Sequence, residues 1–248
     1  MFRHGFTLLF LLAAWQLGAG FGATAYYLST PVQVADRLLE WSMSGYVWPH
    51  LLSTIECSLA GFGVAAFVGT LFALAMASSP SFARLLEPAL FAAFSTPKIV
   101  IAPLLILWIG VGTLPVIALS ALSSFFVIFY GSYGGLRDVS GSYIDTAAVL
   151  GAGYWTTAFQ FRLPAAGPYI LASLTQGLIY AFHGAILGEM TASDTGMGYL
   201  IVYSATSMDA ASVLAALAVI GAVTFGLLHL LASATRALAA PLNAEALA

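Results

Sequence analysis

The sequence predicts an all-α membrane protein with about six transmembrane helices, and three observations lead to that prediction. Of the 248 residues, 61% are hydrophobic and only 7% are charged, whereas an ordinary soluble domain is about 25% charged. The mean hydropathy of +0.97 leaves too few charges to cover a soluble exterior. The charges are also widely spaced, and the uncharged stretches between them are long enough for the roughly 20 residues that a transmembrane helix needs.

The uncharged stretches place the individual spans. Those that follow Arg3, Glu56, Arg162 and Asp209 hold one helix each. The stretch between Lys98 and Arg137 holds most of two helices, separated by the turn GVGTLP that starts at Gly110. The predicted spans are residues 6–28, 57–79, 90–110, 114–134, 166–188 and 211–235, with a polar loop over residues 135–165.

Six spans place both termini on one side of the membrane. That side then carries five of the six arginines, namely Arg3, Arg84, Arg137, Arg162 and Arg236. The positive-inside rule makes it the cytoplasmic side, together with loop 135–165. An alternative for the N-terminus is a cleavable signal peptide that ends near Ala23-Thr24-Ala25. Cleavage would leave five spans and an external mature N-terminus.

The composition and the missing motifs argue against several classes of protein. The net charge of −3 and the scattered basic residues do not favour a nucleic-acid partner. Cys57 is the only cysteine, and no His, Asp or Glu spacing indicates a metal site. The sequence contains no G-x-x-x-x-G-K-[ST] loop, G-x-S-x-G elbow or H-E-x-x-H helix. We therefore predict no catalytic residues and no cofactor of its own.

Residues 141–164, GSYIDTAAVLGAGYWTTAFQFRLP, form a polar island punctuated by glycine. A short helix is predicted from about Tyr143, with Asp145 in its first turn, where the helix dipole favours a carboxylate. Gly151 ends that helix because glycine adopts the left-handed conformation at low cost. A second helical piece stops at Pro164. A partner that pushed on this segment would move the membrane helices at both of its ends.

The spacing of this island resembles the EAA loop of ABC importer permeases, which reads EAA, three residues, Gly, nine residues and I-x-L-P. Here Asp145 and Thr146 stand where that loop has Glu and Ala, and Phe161 stands where it has Ile. The resemblance implies that the loop couples the chain to a separate ATPase. The coupling residues that it implies are Asp145, Thr146, Ala147, Gly151, Phe161, Leu163 and Pro164.

Two further segments resemble permeases for nitrate, taurine and aliphatic sulfonates. They are PKIVIAPL from Pro97, and Glu189-Met190 followed by GMGYL from Gly196. The resemblance covers about residues 50–235 and implies a type I importer permease in the bacterial cytoplasmic membrane. Such a permease pairs with a second copy. Its partner ATPases in the cytoplasm bind ATP and Mg, and an external binding protein delivers the solute.

The resemblance suggests a small anion, such as a sulfonate or nitrate, as the solute. Related permeases also carry vitamins and pyrimidine precursors, and the binding protein sets most of the specificity. The sequence therefore does not identify the substrate.

Lys98 and Glu189 are the candidate residues of the pathway or gate. Lys98 is the only lysine, and Pro97 and Pro103 break the helix around it, as is typical of segments that line protein or water. It is a candidate to attract an anion. The alternatives are that it reaches an interface or pairs with Glu87. Glu189 is expected near the external face, with access to water.

The alternative function is an ion-coupled secondary transporter. It requires ionisable residues deep in several spans, and the sequence offers only Lys98 as a strong candidate. A membrane enzyme would need acid, base or metal-binding residues clustered at one depth, and no such cluster is evident. A purely structural subunit would leave the polar island without a role.

Overall fold

A computed structural model of the chain describes residues 2–19, 28–139 and 141–245, and the regular structure of these ranges is helical. The helices are α1 (Phe2–Ala19), α2 (Pro31–Ser44), α3 (Val47–Ser78), α4 (Pro80–Ser95), α5 (Ala102–Ile109), α6 (Thr113–Arg137), α7 (Gly141–Val149), α8 (Gly167–Ala192), α9 (Met197–Thr206) and α10 (Ala210–Glu245). A 3₁₀ turn, Lys98–Ile101, precedes α5. Residues 154–165 form a helical run whose middle part, Thr157–Arg162, is a π-helix.

Four helices of the described ranges are long and apolar enough to cross a membrane: α3, α6, α8 and the Ala210–Thr235 part of α10. A fifth span results if the bent pair made of α4 and residues 98–109 is counted as one. Helix α1 covers part of the predicted first span. The remainder of that span, with the Ala23-Thr24-Ala25 cleavage candidate, lies outside the described residues.

Two helices start earlier than the sequence analysis expects. Helix α3 begins at Val47 instead of residue 57, because Glu56 lies on an exposed face of the helix and does not mark its start. Helix α4 begins at Pro80, and the hydroxyl of its N-cap residue Ser79 accepts a hydrogen bond from the Phe82 N–H at 3.4 Å. The prediction started this span at residue 90, ten residues too late.

The predicted span 90–110, in which Pro97 and Pro103 were expected to break the helix, is bent by 91° between α4 and the Lys98–Ile109 segment. The break falls at Thr96 and Pro97. Proline lacks an N–H group and disfavours the helical conformation of the residue before it. Thr96 accordingly has extended dihedral angles, with ψ at 128°.

Helices α3, α6 and α8 pack closely at the centre of the molecule, with α6 against both others. A Cβ atom on Gly61 of α3 would lie 2.3 Å from the Ser120 Oγ atom, and one on Gly184 of α8 would lie 2.6 Å from the Leu119 carbonyl oxygen. The Ser120 hydroxyl also donates to the Ala181 carbonyl of α8 at 2.9 Å. Glycine and serine therefore set the spacing of this central trio.

The two ends of the central trio carry different structures. At one end, here called the loop end, α3 finishes, α4 starts, and residues 138–166 connect α6 to α8. At the other, the far end, α3 starts and residues 193–209 connect α8 to α10 through α9. Helix α2 also lies at the far end, where its buried Val34 and Trp41 pack with Met197 and Leu200 of α9.

Helix α2 is absent from the predicted spans. Its N-terminus is a capping box, in which the Gln33 N–H donates to the Thr30 hydroxyl at 3.3 Å and the Thr30 N–H donates to the Gln33 side-chain oxygen at 2.8 Å. Pro31 occupies the first helical position, where its missing N–H group costs nothing. The helix covers the far end of the molecule, and its 14 residues are fewer than the roughly 20 that a span needs.

Candidate functional site

Helix α7 and the turn that follows it form the first half of the polar island. The Ala152 N–H donates to the Ala147 carbonyl at 2.9 Å, and Gly151 between them has a φ of +77°. This is the Schellman arrangement, in which a left-handed residue lets the chain turn back and satisfy the last carbonyl groups of the helix. The sequence prediction that Gly151 ends this helix agrees with the geometry.

The second half of the island is held against the membrane helices. The Arg162 guanidinium donates to the Ala77 carbonyl in the last turn of α3, where the helix dipole favours a cation. The side chains of Ala158 and Leu163 pack into the loop-end core with Met76 and Leu136. Residues 154–165 are therefore in direct contact with α3 and α6.

The residues singled out by the EAA-like spacing separate into two groups. Ala147 is fully buried, Leu163 packs in the loop-end core, and Phe161 contacts the Tyr143 ring edge to face, with centroids 5.7 Å apart. Ala147 and Leu163 therefore pack inward, and Phe161 joins the two halves of the island. The side chains of Asp145, Thr146 and Pro164, and the backbone of Gly151, are exposed.

The largest exposed aliphatic groups of the island were not singled out by the sequence analysis. Val149 is 87% exposed and Leu150 is 72% exposed, although both lie outside the membrane-spanning helices. Trp155, stacked on Phe159 at 5.9 Å, is also exposed. The signal in the sequence was the pair of aliphatic residues directly before a glycine that ends a helix.

Lys98 lies at the bend between α4 and α5. Its ammonium group donates to the Phe94 carbonyl and is 4.8 Å from the ring centroids of both Phe94 and Phe126, a distance typical of cation–π interactions. Among the described residues, no carboxylate lies within 4.0 Å of it. The alternative pair with Glu87 is not formed, because Glu87 instead lies 3.8 Å from Arg137.

Glu189 is buried at the far end of α8, with only 1% of its surface exposed, whereas the sequence analysis expected access to water. Its Oε2 atom accepts hydrogen bonds from the Thr54 hydroxyl of α3 and from the Gly198 N–H of α9, both at 2.9 Å. Glu189 therefore joins three helices. The burial follows from Gly196 and Gly198, since side chains at these positions would collide with the carboxylate and with the Glu189 Cβ atom.

A second polar link ties α2 to the turn before α10 at the far end. Arg37 lies 3.1 Å from Asp209 and 3.0 Å from Glu40. Partial burial alone would raise the pKa of Asp209. The hydrogen bonds from the Ser212 hydroxyl and N–H, together with the Arg37 charge, outweigh burial and place that pKa below its usual 3.8.

The fold and these two ends define a class of protein: a multi-pass helical membrane subunit with a structured polar segment at one end. The chain belongs to the family of binding-protein-dependent transport system inner membrane components, whose model matches residues 65–242. It is the permease subunit of an ABC importer. This membership decides against the ion-coupled secondary transporter, and the family is a transport family, not a catalytic one.

Curated relatives support the same assignment over most of the chain. The riboflavin transport system permease protein RibX of Chloroflexus aurantiacus is 31% identical, over 89% of this chain and 83% of that protein. The putative aliphatic sulfonates transport permease protein SsuC of Bacillus subtilis is 30% identical, over 89% and 82%. The taurine transport system permease protein TauC of Escherichia coli is 27% identical, over 88% and 82%.

A solved structure shows the same fold. A chain of the MetNI methionine ABC transporter, solved in inward facing conformations, matches with a TM-score of 0.63 and 18% sequence identity. The match covers 82% of this chain and 96% of the other. The prediction of a type I ABC importer-like fold is thereby confirmed.

Proposed function

We propose that residues 141–165 are the docking segment for the cytoplasmic ATPase, with Val149 and Leu150 at the centre of the contact. The observation that carries this proposal is the exposure of two adjacent aliphatic side chains outside the membrane-spanning helices, one at the end of α7 and one in the turn that follows it. Exposed apolar groups of this kind mark interaction sites. The matching spacing of Asp145, Thr146, Ala147 and Gly151 supports the same role.

The ATPase, not this chain, binds ATP and Mg in this proposal. Closure of two ATPase subunits displaces α7, and Arg162 and Leu163 pass the displacement to α3 and α6. The loop end is then cytoplasmic, both chain termini lie on that side, and the far end faces the external binding protein. Arg84, Arg137 and Arg162 at the loop end support this orientation.

Two copies of the chain form the pathway in this proposal. The segment from α5 to the start of α6 exposes large apolar side chains, among them Leu107, Trp108 and Val111. Their exposure supports contact with a second copy or with lipid. The four or five spans found in the described ranges make a thin bundle, which favours a pathway shared between copies.

The docking proposal is tested with a double variant, Val149→Asp with Leu150→Asp, expressed together with the partner ATPase and the binding protein. We expect the folded variant to lose co-purification of the ATPase, because two buried charges at the contact are costly. The control is Gln160→Asp, which alters an exposed polar residue of the same segment. Undiminished ATPase binding by the double variant, or equal loss in the control, would contradict the proposal.

We further propose that the bend at Pro97, Lys98 and Pro103 lines the pathway and that Lys98 attracts the solute. The ammonium group is held by two aromatic rings and a carbonyl, and no carboxylate of the described residues neutralises its charge. Glu189 is assigned to the opposite gate at the far end. The relatives are named for riboflavin, sulfonates and taurine, and the solute class proposed here is a small organic solute with an anionic group.

Lys98→Gln and Lys98→Arg test the role of the charge. For an anionic solute we expect the glutamine variant to lower uptake by about tenfold, the ratio that corresponds to about 1.4 kcal/mol, and the arginine variant to retain more. The measurement is ATP-driven uptake into proteoliposomes with the binding protein present. Equal uptake by the wild type and the glutamine variant would remove Lys98 from the pathway.

A further inference from the structure

Helix α9 starts with three consecutive backbone N–H groups that are bound by side chains of other helices. The Gly196 N–H donates to the His50 Nδ1 atom at 3.2 Å, and the Met197 N–H donates to the Thr54 hydroxyl oxygen at 2.8 Å. The Gly198 N–H donates to Glu189 Oε2 at 2.9 Å. The first N–H groups of a helix have no partner within the helix, so these bonds decide where α9 is held.

The three acceptors form one connected group. His50 and Thr54 lie four residues apart on α3, which places them on one face of that helix. The Thr54 hydroxyl is 2.9 Å from Glu189 Oε2 on α8. The carboxylate also lies at the positive end of the α9 dipole, where a negative group is favoured. Helices α3 and α8 thus hold the start of α9 between them.

The backbone at the start of α9 packs tightly against the Glu189 side chain, and only glycine fits at the two contact positions. Gly196 has a φ of +104°, and a Cβ atom there would lie 2.1 Å from the Glu189 Cδ atom. A Cβ atom on Gly198 would lie 2.4 Å from the Ile186 carbonyl oxygen. Hydrogen bonds weaken steeply when distance and angle depart from ideal values. A small displacement of α9 therefore breaks the group as a unit.

The other carboxylate oxygen of Glu189 has a different environment. Oε1 is buried and has no hydrogen-bond partner among the described residues. Buried polar atoms without a partner are exceptions in folded proteins and call for an explanation. Only one of the two Glu189 oxygens is therefore hydrogen-bonded in this state. Such an arrangement fits a contact that is made in one state of the molecule and broken in another.

We propose that His50, Thr54 and Glu189 form a latch that holds α9 closed over the far end and releases it during the transport cycle. Glu189 is the positioning residue of this latch. The inference rests on the proposed function, in which the loop end binds the ATPase and the far end faces the binding protein. The latch stabilises the resting state, so that ATP hydrolysis stays low until the binding protein docks and α9 moves.

The first test measures ATP hydrolysis by the complete complex in lipid nanodiscs, with and without binding protein. Glu189→Ala removes the central acceptor, and we expect it to raise hydrolysis without binding protein by several-fold and to reduce the further stimulation by binding protein. Thr54→Val acts in the same direction. Glu189→Gln keeps an oxygen acceptor for Gly198 and should lie closer to the wild type. A purely structural role would lower both activities together.

The control is Glu56→Ala, which removes an exposed carboxylate close to Thr54 on the same helix and should leave both activities unchanged. Unchanged or lower basal hydrolysis in Glu189→Ala and Thr54→Val, in complexes that still contain the ATPase, would overturn the latch. If Glu189→Ala does not fold, Thr54→Val decides. Failure of the wild-type chain to bind any ATPase would instead overturn the proposed function.

The second test measures the position of α9 directly. Spin labels are placed at Leu52 on α3 and Tyr203 on α9, both more than half exposed, in a Cys57→Ala background. We expect one distance in the resting complex, a second distance when ATP and vanadate trap the wild type, and both distances in resting Glu189→Ala. An unchanged single distance in the trapped wild type would overturn the proposal.

Discussion

The loop end and the far end hold the same central helices by different kinds of interaction. The loop-end core is aromatic, with Phe125 stacked on Phe129 at 5.8 Å and Phe129 stacked on Tyr133 at 5.6 Å. The far end has apolar contacts between α2 and α9 and, in addition, directional hydrogen bonds that converge on Glu189 and Thr54. Apolar contacts tolerate small displacements, whereas hydrogen bonds do not.

This difference matches the tasks proposed for the two ends. A surface that receives pushes from an ATPase must stay attached to the helices while it moves, and stacked rings and aliphatic contacts allow this. A gate must have two distinct states, closed and open. A group of hydrogen bonds with a fixed geometry provides such a two-state contact, because the bonds form or break together. The two ends therefore respond differently to the same substitution.

The largest effect is expected for Gly196→Ala at the far end. The new methyl group meets the Glu189 carboxylate at 2.1 Å, and the φ of +104° is unfavourable for any residue with a Cβ atom. Overpacking and backbone strain together should lower the free energy of unfolding by at least about 3 kcal/mol. Equilibrium unfolding in mixed micelles measures this. The control is Gly63→Ala on α3, where a Cβ meets nothing within 4 Å.

The matched substitution at the loop end sharpens the comparison. Gly151 has a φ of +77°, but a Cβ atom there meets no other group within 4 Å. Gly151→Ala should therefore cost only the backbone term, roughly 1–2 kcal/mol. Equal destabilisation of the two alanine variants would contradict the conclusion that the far end is packed more tightly than the loop end.

An intermediate effect is expected for Arg162→Ala, which removes the hydrogen bond between the polar island and the end of α3. Hydrogen bonds that involve a charged group contribute about 1.5–3 kcal/mol, and we expect uptake to fall by about tenfold while the ATPase remains bound. Uptake and co-purification are measured on the same preparation. The control is Arg84→Ala, which removes an arginine that is 3.5 Å from the Ser81 hydroxyl. An equal loss of uptake in this control would contradict a specific role of Arg162 in coupling.

The smallest effect is expected for the Arg37–Asp209 pair at the far end. Both side chains are about one third exposed, so Asp209→Asn should cost less than about 1 kcal/mol. Because the folded-state pKa of Asp209 lies below 3.8, its contribution is present above pH 3.8 and is lost as the pH falls through the folded value. Thermal unfolding between pH 3 and 7, for wild type and Asp209→Asn, measures it. A difference that grows toward low pH would have the wrong sign.

The sequence alone indicated the membrane class, most of the spans and the position of the polar island. These are local properties, because uncharged stretches and the spacing from Asp145 to Pro164 can be counted along the chain. Helix α2 could also have been predicted from the sequence, since Thr30, Pro31 and Gln33 form a capping signature. It was missed because a span count considers only long apolar stretches.

The burial of Glu189 and the bend near Lys98 could not be derived in the same way. The contacts of Glu189 join residues 54, 189 and 198, which no local pattern relates. Pro97 and Pro103 predicted a break in the helix, but the angle of 91° depends on how α5 packs against α6. Tertiary packing thus decided both features of the candidate pathway.

The close packing of α3, α6 and α8 restricts how this permease changes shape. Positions without a side chain, such as Gly61 and Gly184, bring the backbones of neighbouring helices together, and serine hydroxyls of α6 are bonded to carbonyls of α8 at 2.8–2.9 Å. Sliding one of these helices past another would force backbone atoms into each other. We therefore expect the trio to keep its internal packing when the permease changes shape, with the surrounding helices moving against it as a unit.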